Sequence, residues 1–172
     1  MMKRKLGLLT WRTEEDAALE KELHTVLQLV ETDMTIFFRK LAELPQHEPD
    51  LTSWLSEQLV DSYYRAEDLQ GPHRDAIVRW LTRYQQRLRQ QDLPDAERRT
   101  HMNQVNPHFV LRNHLAQLAI DRAEQGDSSM IYELLNVLRH PYDEQPEHAE
   151  YANKRPAWAR HRPGCSMLSC SS

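Results

Sequence analysis

Apolar side chains recur at helical spacing along most of the chain. Leu19, Leu23, Val26, Leu27 and Val30 form one stripe and predict a helix over about 14–31, with Thr13 and Asp16 in the pattern of a capping box. Thr32 or Asp33 can start a second helix carrying Ile36, Phe37, Leu41 and Leu44 and ending before Pro45. Leu51, Trp54, Leu55, Leu59 and Tyr63 predict a third, closed near Gly71-Pro72. From His73 to Gln91 the stripe is Ile77, Trp80, Leu81, Tyr84 and Leu88. Pro94 opens a short helix with Ala96 and Met102. The most apolar helix is expected from Asn106 to Asp127, capped by Asn106, with Pro107 in its first turn and Gly126 at its end. Val110, Leu111, Leu115, Leu118, Ala119 and Ile120 give it a broad buried stripe, and it would be roughly 28 Å long. Asp127 starts the last helix, with Met130, Ile131, Leu134, Leu135 and Leu138, stopped by His140-Pro141.

After Pro141 the periodicity ends. Pro141, Pro146, Pro156 and Pro163 punctuate a polar stretch in which Tyr142, Tyr151 and Trp158 read as anchors. The expected architecture is therefore all-α: an irregular bundle of about six to seven helices over residues 1–140, then an extended tail over 141–172. No internal repeat and no strand pattern interrupts it. The four glycines are isolated from one another, which argues against turn-rich β structure.

Composition adds limits. A hydrophobic fraction of 40% supports a true core, and a net charge of −4 makes neither nucleic acid nor an anionic membrane surface an obvious partner. No stretch approaches the ~18 apolar residues of a membrane span, and the apolar run after Met1 is too short for a signal-peptide core. The two cysteines, Cys165 and Cys170, make no disulfide framework, so a cytoplasmic location is expected.

Isolated glycines cannot cradle a phosphate, and no nucleophile elbow, zinc-helix or kinase catalytic motif occurs. His101, His108 and His114 lack partners at metal-ligand spacing and read as surface or capping histidines. Arg79, Arg83 and Arg87 recur at i, i+4 and i+8; the ridge is either a docking surface for an acidic partner or a solvated face supported by nearby carboxylates. Arg112 and Asn113 sit inside the expected central helix and read as a structural clamp, since a buried arginine needs a carboxylate or several carbonyls. Cys170, in Ser169-Cys170-Ser171-Ser172, is a terminal thiol whose reactivity Arg160 and Arg162 could raise if the tail folds back.

These residues also carry a resemblance. Lys5-Leu6-Gly7-Leu8, the run N-P-x-x-V-L-R-N-x-L-A-Q-x-A-I from Asn106 to Ile120, A-E-x-G-D from Ala123 to Asp127 and V-L-R-x-P-Y from Val137 to Tyr142 resemble the C-terminal part of the selenoprotein O family. Arg155-Pro156, Trp158 and the closing Ser169-Cys170-Ser171-Ser172 complete the likeness, which spans nearly the whole chain. It implies a helical extension of a pseudokinase-like fold that transfers AMP from ATP to protein hydroxyls with Mg²⁺ or Mn²⁺. The family's nucleotide- and metal-binding residues lie in an upstream kinase-like portion. No catalytic, cofactor-binding or metal residue is therefore carried over, no cofactor is expected here, and the chain alone is expected to be inactive. Its expected partners are that kinase-like portion and, through it, protein substrates. By resemblance Cys170 is a redox site able to pair with a cysteine of the upstream portion. Cys165 departs from the family pattern and leaves a Cys165–Cys170 bridge as the alternative. A free-standing helical interaction module without enzymatic activity is the other functional reading.

Overall fold

The computed structural model describes residues 1–162, 164 and 165. The chain is all-α, and its packing divides it into two compact units, residues 1–106 and 107–172. The packing boundary lies at Asn106, whereas apolar periodicity stops at residue 140; the former marks which residues share a core, the latter where long helices end.

Unit 1 contains α1 (Met2–Lys5), α2 (Thr13–Leu27), α3 (Met34–Leu41), α4 (Leu51–Trp54), α5 (Gly71–Leu88) and α6 (Asp95–Asn103). The stripes of α2 and α5 face each other: Leu19, Leu23 and Val26 meet Ile77, Trp80, Leu81, Tyr84 and Leu88, all buried. Trp80 stacks on Tyr84 with centroids 5.2 Å apart and donates its indole N–H to the Leu19 carbonyl at 2.9 Å, so its one polar atom is satisfied in the core. Asp33 caps α3 through Ile36 N–H at 3.1 Å.

Three expected elements of unit 1 change. The second helix stops at Leu41, although Leu44 remains fully buried. The third is not one helix: α4 runs into a π-helical turn, Leu55–Leu59, and a 3-10 turn, Val60–Ser62. The chain then goes extended because Asp33 N–H donates to Ser62 O at 2.7 Å and Tyr64 N–H to Glu31 O at 2.9 Å, an isolated antiparallel bridge at Thr32 and Tyr63. At α2 the capping box is replaced by Asp16, which reaches back to the backbone N–H of the N-cap, Arg12, at 2.6 Å.

Unit 2 contains α7 (Asn113–Glu124), α8 (Ser129–Arg139) and two 3-10 stretches, Pro146–Ala152 and Ala157–Arg160. Its core joins Phe109, Leu115, Ala119, Met130, Leu134, Val137 and Tyr151. The expected helix from Asn106 is shortened to roughly 18 Å. His108 and Phe109 N–H both donate to the Pro141 carbonyl, at 2.7 and 3.0 Å, which holds Phe109 in the core and keeps the preceding segment out of the helix. Asn106 does not cap; its side-chain amide donates to Lys5 O at 3.0 Å within unit 1. Gly126, at φ +91°, does end α7. No helix among the described residues is long and apolar enough to cross a membrane.

Candidate functional site

Unit 1 concentrates its buried polar groups around the residues before α2. Gly7 adopts φ +64°, and a Cβ there would stand 2.7 Å from Arg98 Cγ and 2.8 Å from Met102 Sδ; only glycine fits the Lys5-Leu6-Gly7-Leu8 turn. The first three carbonyls of that turn are taken. Asn106 binds Lys5 O, Tyr84 Oη donates to Leu6 O at 2.8 Å, and Gln91 Nε2 donates to Gly7 O at 2.8 Å while its Oε1 accepts from Leu9 N–H at 3.0 Å. Burial pushes the Tyr84 phenol up to about 12, so it remains a donor. Arg98, fully buried, donates to Leu44 O and to Asp95 at 3.1 Å.

Beside this frame, Arg87 forms a two-pronged bond to Asp16, Nε to Oδ1 at 2.7 Å and Nη2 to Oδ2 at 3.1 Å, and also donates to Thr10 O at 3.0 Å. Both side chains are buried. Burial by itself raises the Asp16 carboxyl, but the bond from Arg87, the Arg12 N–H and the two guanidinium charges together hold it below the usual carboxylate value. Arg87 is thus committed to the core. The Arg79–Arg83–Arg87 ridge does not exist as a surface: Arg79 is exposed, Arg83 pairs with Glu22, and Arg87 faces inward. The reason is that α5 presses this side against α2, where Asp16 requires a cation.

In unit 2 one face of α7 receives the end of the described chain. His114, Gln117 and Asp121 recur at i, i+3 and i+7. The buried His114 ring meets Trp158 edge-on, centroids 6.3 Å apart. Arg162 Nη2 bonds Asp121 Oδ2 at 2.6 Å, and its guanidinium lies 5.7 Å from the Trp158 ring. Gln117 Nε2 donates to Asp121 Oδ1 at 3.0 Å. The Gln117 bond first, and Arg162 second, hold the Asp121 carboxyl below its ordinary value. Gly164, at φ +82°, passes so close to Gln117 Oε1 that a Cβ would strike it. Further back, Gln145 Nε2 caps α8 through Val137 O at 3.1 Å and His140 O at 2.9 Å, and His148 lies 3.3 Å from Glu133. Tyr151 alone of the three expected anchors is buried; Tyr142 and Trp158 are nearly half exposed.

Four further residues singled out from the sequence lie at the start of α7 and near the chain's end. Arg112 is not inside a helix but is the extended N-cap of α7, at φ −82° and ψ 141°, and its Nη2 donates to Ala152 O at 3.3 Å. Asn113 is the first residue of α7. Cys165 is a buried free cysteine, and Cys170 lies outside the described residues. Sequence reasoning missed His114, Gln117, Asp121 and Arg162 as a group; their i, i+3, i+7 spacing was a usable signal, but the residue that joins them lies some forty positions on. Among the described residues no three His, Cys, Asp or Glu side chains gather to hold a metal ion, and no pair of neighbouring glycines offers a phosphate cradle.

The family model described as protein adenylyltransferase SelO matches residues 1–139. A protein nucleotidyltransferase YdiU of Rhodopirellula baltica is 50% identical over 180 residues, covering 100% of this chain and 33% of the relative. That of Tolumonas auensis is 52% identical over 172 residues, covering 100% and 32%. That of Flavobacterium johnsoniae is 46% identical over the same length, again with 32% of the relative covered. The chain spans about a third of the length of these relatives, their C-terminal third.

Proposed function

The chain belongs to the SelO family, and from that premise we propose that it forms the C-terminal helical part of a protein adenylyltransferase. On this reading the whole protein transfers AMP from ATP, with Mg²⁺ or Mn²⁺, to a Ser, Thr or Tyr hydroxyl of another protein. The hydroxyl oxygen attacks the α-phosphorus, its proton is lost, and pyrophosphate leaves. Those steps belong to the kinase-like portion that precedes this region in the longer relatives. The chain itself buttresses that lobe, and the proposed setting is the cytoplasm.

One observation carries the proposal: a family match along residues 1–139 in a chain equivalent to only the last third of its relatives. Supporting it, the strongest polar groups of unit 1, Asp16, Arg87, Arg98 and Tyr84, are consumed in holding the fold together. Arg112 and Asn113 are proposed as the clamp that fixes the entry to α7. Cys170 is proposed as a redox site that pairs with a cysteine of the preceding portion. The reading as a free-standing module loses its docking ridge with the burial of Arg87 and keeps its other surface, an exposed apolar face.

The test is incubation of the purified chain with radiolabelled ATP, Mg²⁺ and a protein substrate. No label should transfer. Robust self-labelling would overturn the proposal, because it would place a nucleotide site within these residues.

A further inference from the structure

The last described residues lie along one face of α7 without burying a large side chain there. After the 3-10 stretch Ala157–Arg160 the chain runs on to Cys165. Its ties to α7 run through side chains: Arg162 Nη2 to Asp121 Oδ2 at 2.6 Å, the Trp158 ring edge-on to His114, and Gly164 against the end of Gln117. Arg162 also lies over the Trp158 ring, which couples two of these contacts. Among the described residues from 157 on, only Ala159 and Cys165 are buried, at 0% and 3% exposure. Both side chains are small. The core of unit 2 instead buries Phe109, Leu115, Leu134 and Val137. Lifting residues 157–165 therefore exposes far less apolar area than opening that core. The ion pair that opposes lifting is itself partly open to solvent, with the Arg162 side chain 38% and that of Asp121 26% exposed.

We infer that residues 157–165 are a strap that lifts from α7 while the rest of unit 2 stays folded, and that the Arg162–Asp121 pair sets how often the strap presents the Cys165 thiol to solvent. A local opening has a free energy set by the contacts it breaks, not by the stability of the whole unit. The contacts broken here are a screened ion pair, an aromatic edge contact and the burial of two small side chains. While the strap is down, the thiol is out of reach, because a cysteine reacts only where its sulfur is accessible. The consequence is a cysteine whose reactivity follows ionic strength. Salt screens a partly exposed pair and leaves an apolar core nearly untouched. A thiol inside that core would instead react only when the core opened. The inference concerns this chain's own residues and stands independently of the proposed function.

The experiment is the rate of N-ethylmaleimide labelling at Cys165 in the full chain carrying Cys170→Ser, which leaves a single thiol. Each rate is divided by that of free cysteine in the same buffer, and amide-exchange protection of α8 is followed alongside as the readout of the core. Asp121→Asn keeps the shape of the side chain and removes its charge. Labelling should then rise about fivefold while α8 protection stays within about twofold. Raising NaCl from about 0.05 M to about 1 M should speed labelling about threefold with Asp121 present and leave the Asn variant nearly unchanged. Arg162→Gln also removes the contact with Trp158, so about tenfold is expected, and the double variant should match it within about twofold. An unchanged rate in both single variants would overturn the inference. So would a fall in α8 protection that tracks the labelling, because Cys165 would then report opening of the whole unit. Labelling of the unaltered strap at the free-cysteine rate would overturn it as well, since nothing would then be closed over the thiol.

Discussion

Units 1 and 2 differ in how completely they bury what their helices offer. Unit 1 surrounds Trp80, Tyr84, Phe37 and Leu23 on all sides, and its large exposed apolar side chains are Met1, Leu9 and Met34. Unit 2, with fewer than two thirds as many residues, leaves Leu111, Ile120, Ile131, Tyr132, Leu135, Tyr142 and Trp158 open. Part of the difference is size. A unit of fewer than about 70 residues has too much surface for its volume to close a core alone. The remainder is polar. Unit 1 ties its loops with buried, fully engaged side chains such as Arg87, whereas unit 2 relies on partly exposed pairs such as Arg162–Asp121.

The sharpest way to break this contrast is Arg87→Ala. It strands the Asp16 carboxylate in the core and should destabilise unit 1 by about 3–5 kcal/mol, measured by urea unfolding. A loss below about 1 kcal/mol would show that the pair contributes little. Gly7→Ala should cost roughly 2–3 kcal/mol, because left-handed strain adds to a collision with Arg98 Cγ and Met102. Gly164→Ala in unit 2 shares the left-handed φ but meets only the far end of the Gln117 side chain, so about 1 kcal/mol is expected. The same unfolding experiment compares the two.

Acid titration sharpens the comparison further. The folded Asp16 carboxyl lies below its unfolded value of about 3.9, so between the two values the unfolded chain binds more protons. Its stabilisation is complete above that unfolded value and is lost as pH falls through the folded one. The hydrogen-exchange protection factors of α2 and α5, taken against the intrinsic rate at each pH, should therefore fall below about pH 4, and Asp16→Asn should flatten the dependence. Asp121 has the same sign, but solvent screens it, so α7 should respond less. The smallest effect is Ile131→Ala with Leu135→Ala in the chain alone. Thermal unfolding should register no more than about 0.5 kcal/mol per site, since both side chains are largely open there. A larger loss would mean that the α8 face is already covered.

Much of the architecture is legible in the residue pattern, and the departures have identifiable causes. The stripes at Leu19–Leu23–Val26 and Ile77–Trp80–Leu81–Tyr84–Leu88 are buried as their spacing implies, because 3.6-residue periodicity directly records which side of a helix is dry. The start of α7 is displaced because the Pro141 carbonyl, distant in sequence, captures His108 and Phe109. The third helix breaks for the same kind of reason, a bridge to Thr32. Of the candidate site, Arg112 is the extended N-cap of α7 and not a residue inside the helix. The spacing of His114, Gln117 and Asp121 marks one face of α7, but its pairing with Trp158 and Arg162 is not legible in the sequence, since no short-range pattern pairs residues so far apart.

The amino-acid order alone determined that the chain is helical, which residues line each stripe, that Gly126 ends a helix, and which family it belongs to. These are local properties or properties of residue identity, and both survive without a third dimension. Only the tertiary structure decided that Arg87 is an interior partner of Asp16, that Gly7 is demanded by Arg98 and Met102, and that Leu111, Ile120, Ile131 and Leu135 stay open. Each depends on which helix face finds a neighbour, and a one-dimensional pattern shows that a face is apolar without showing what it meets.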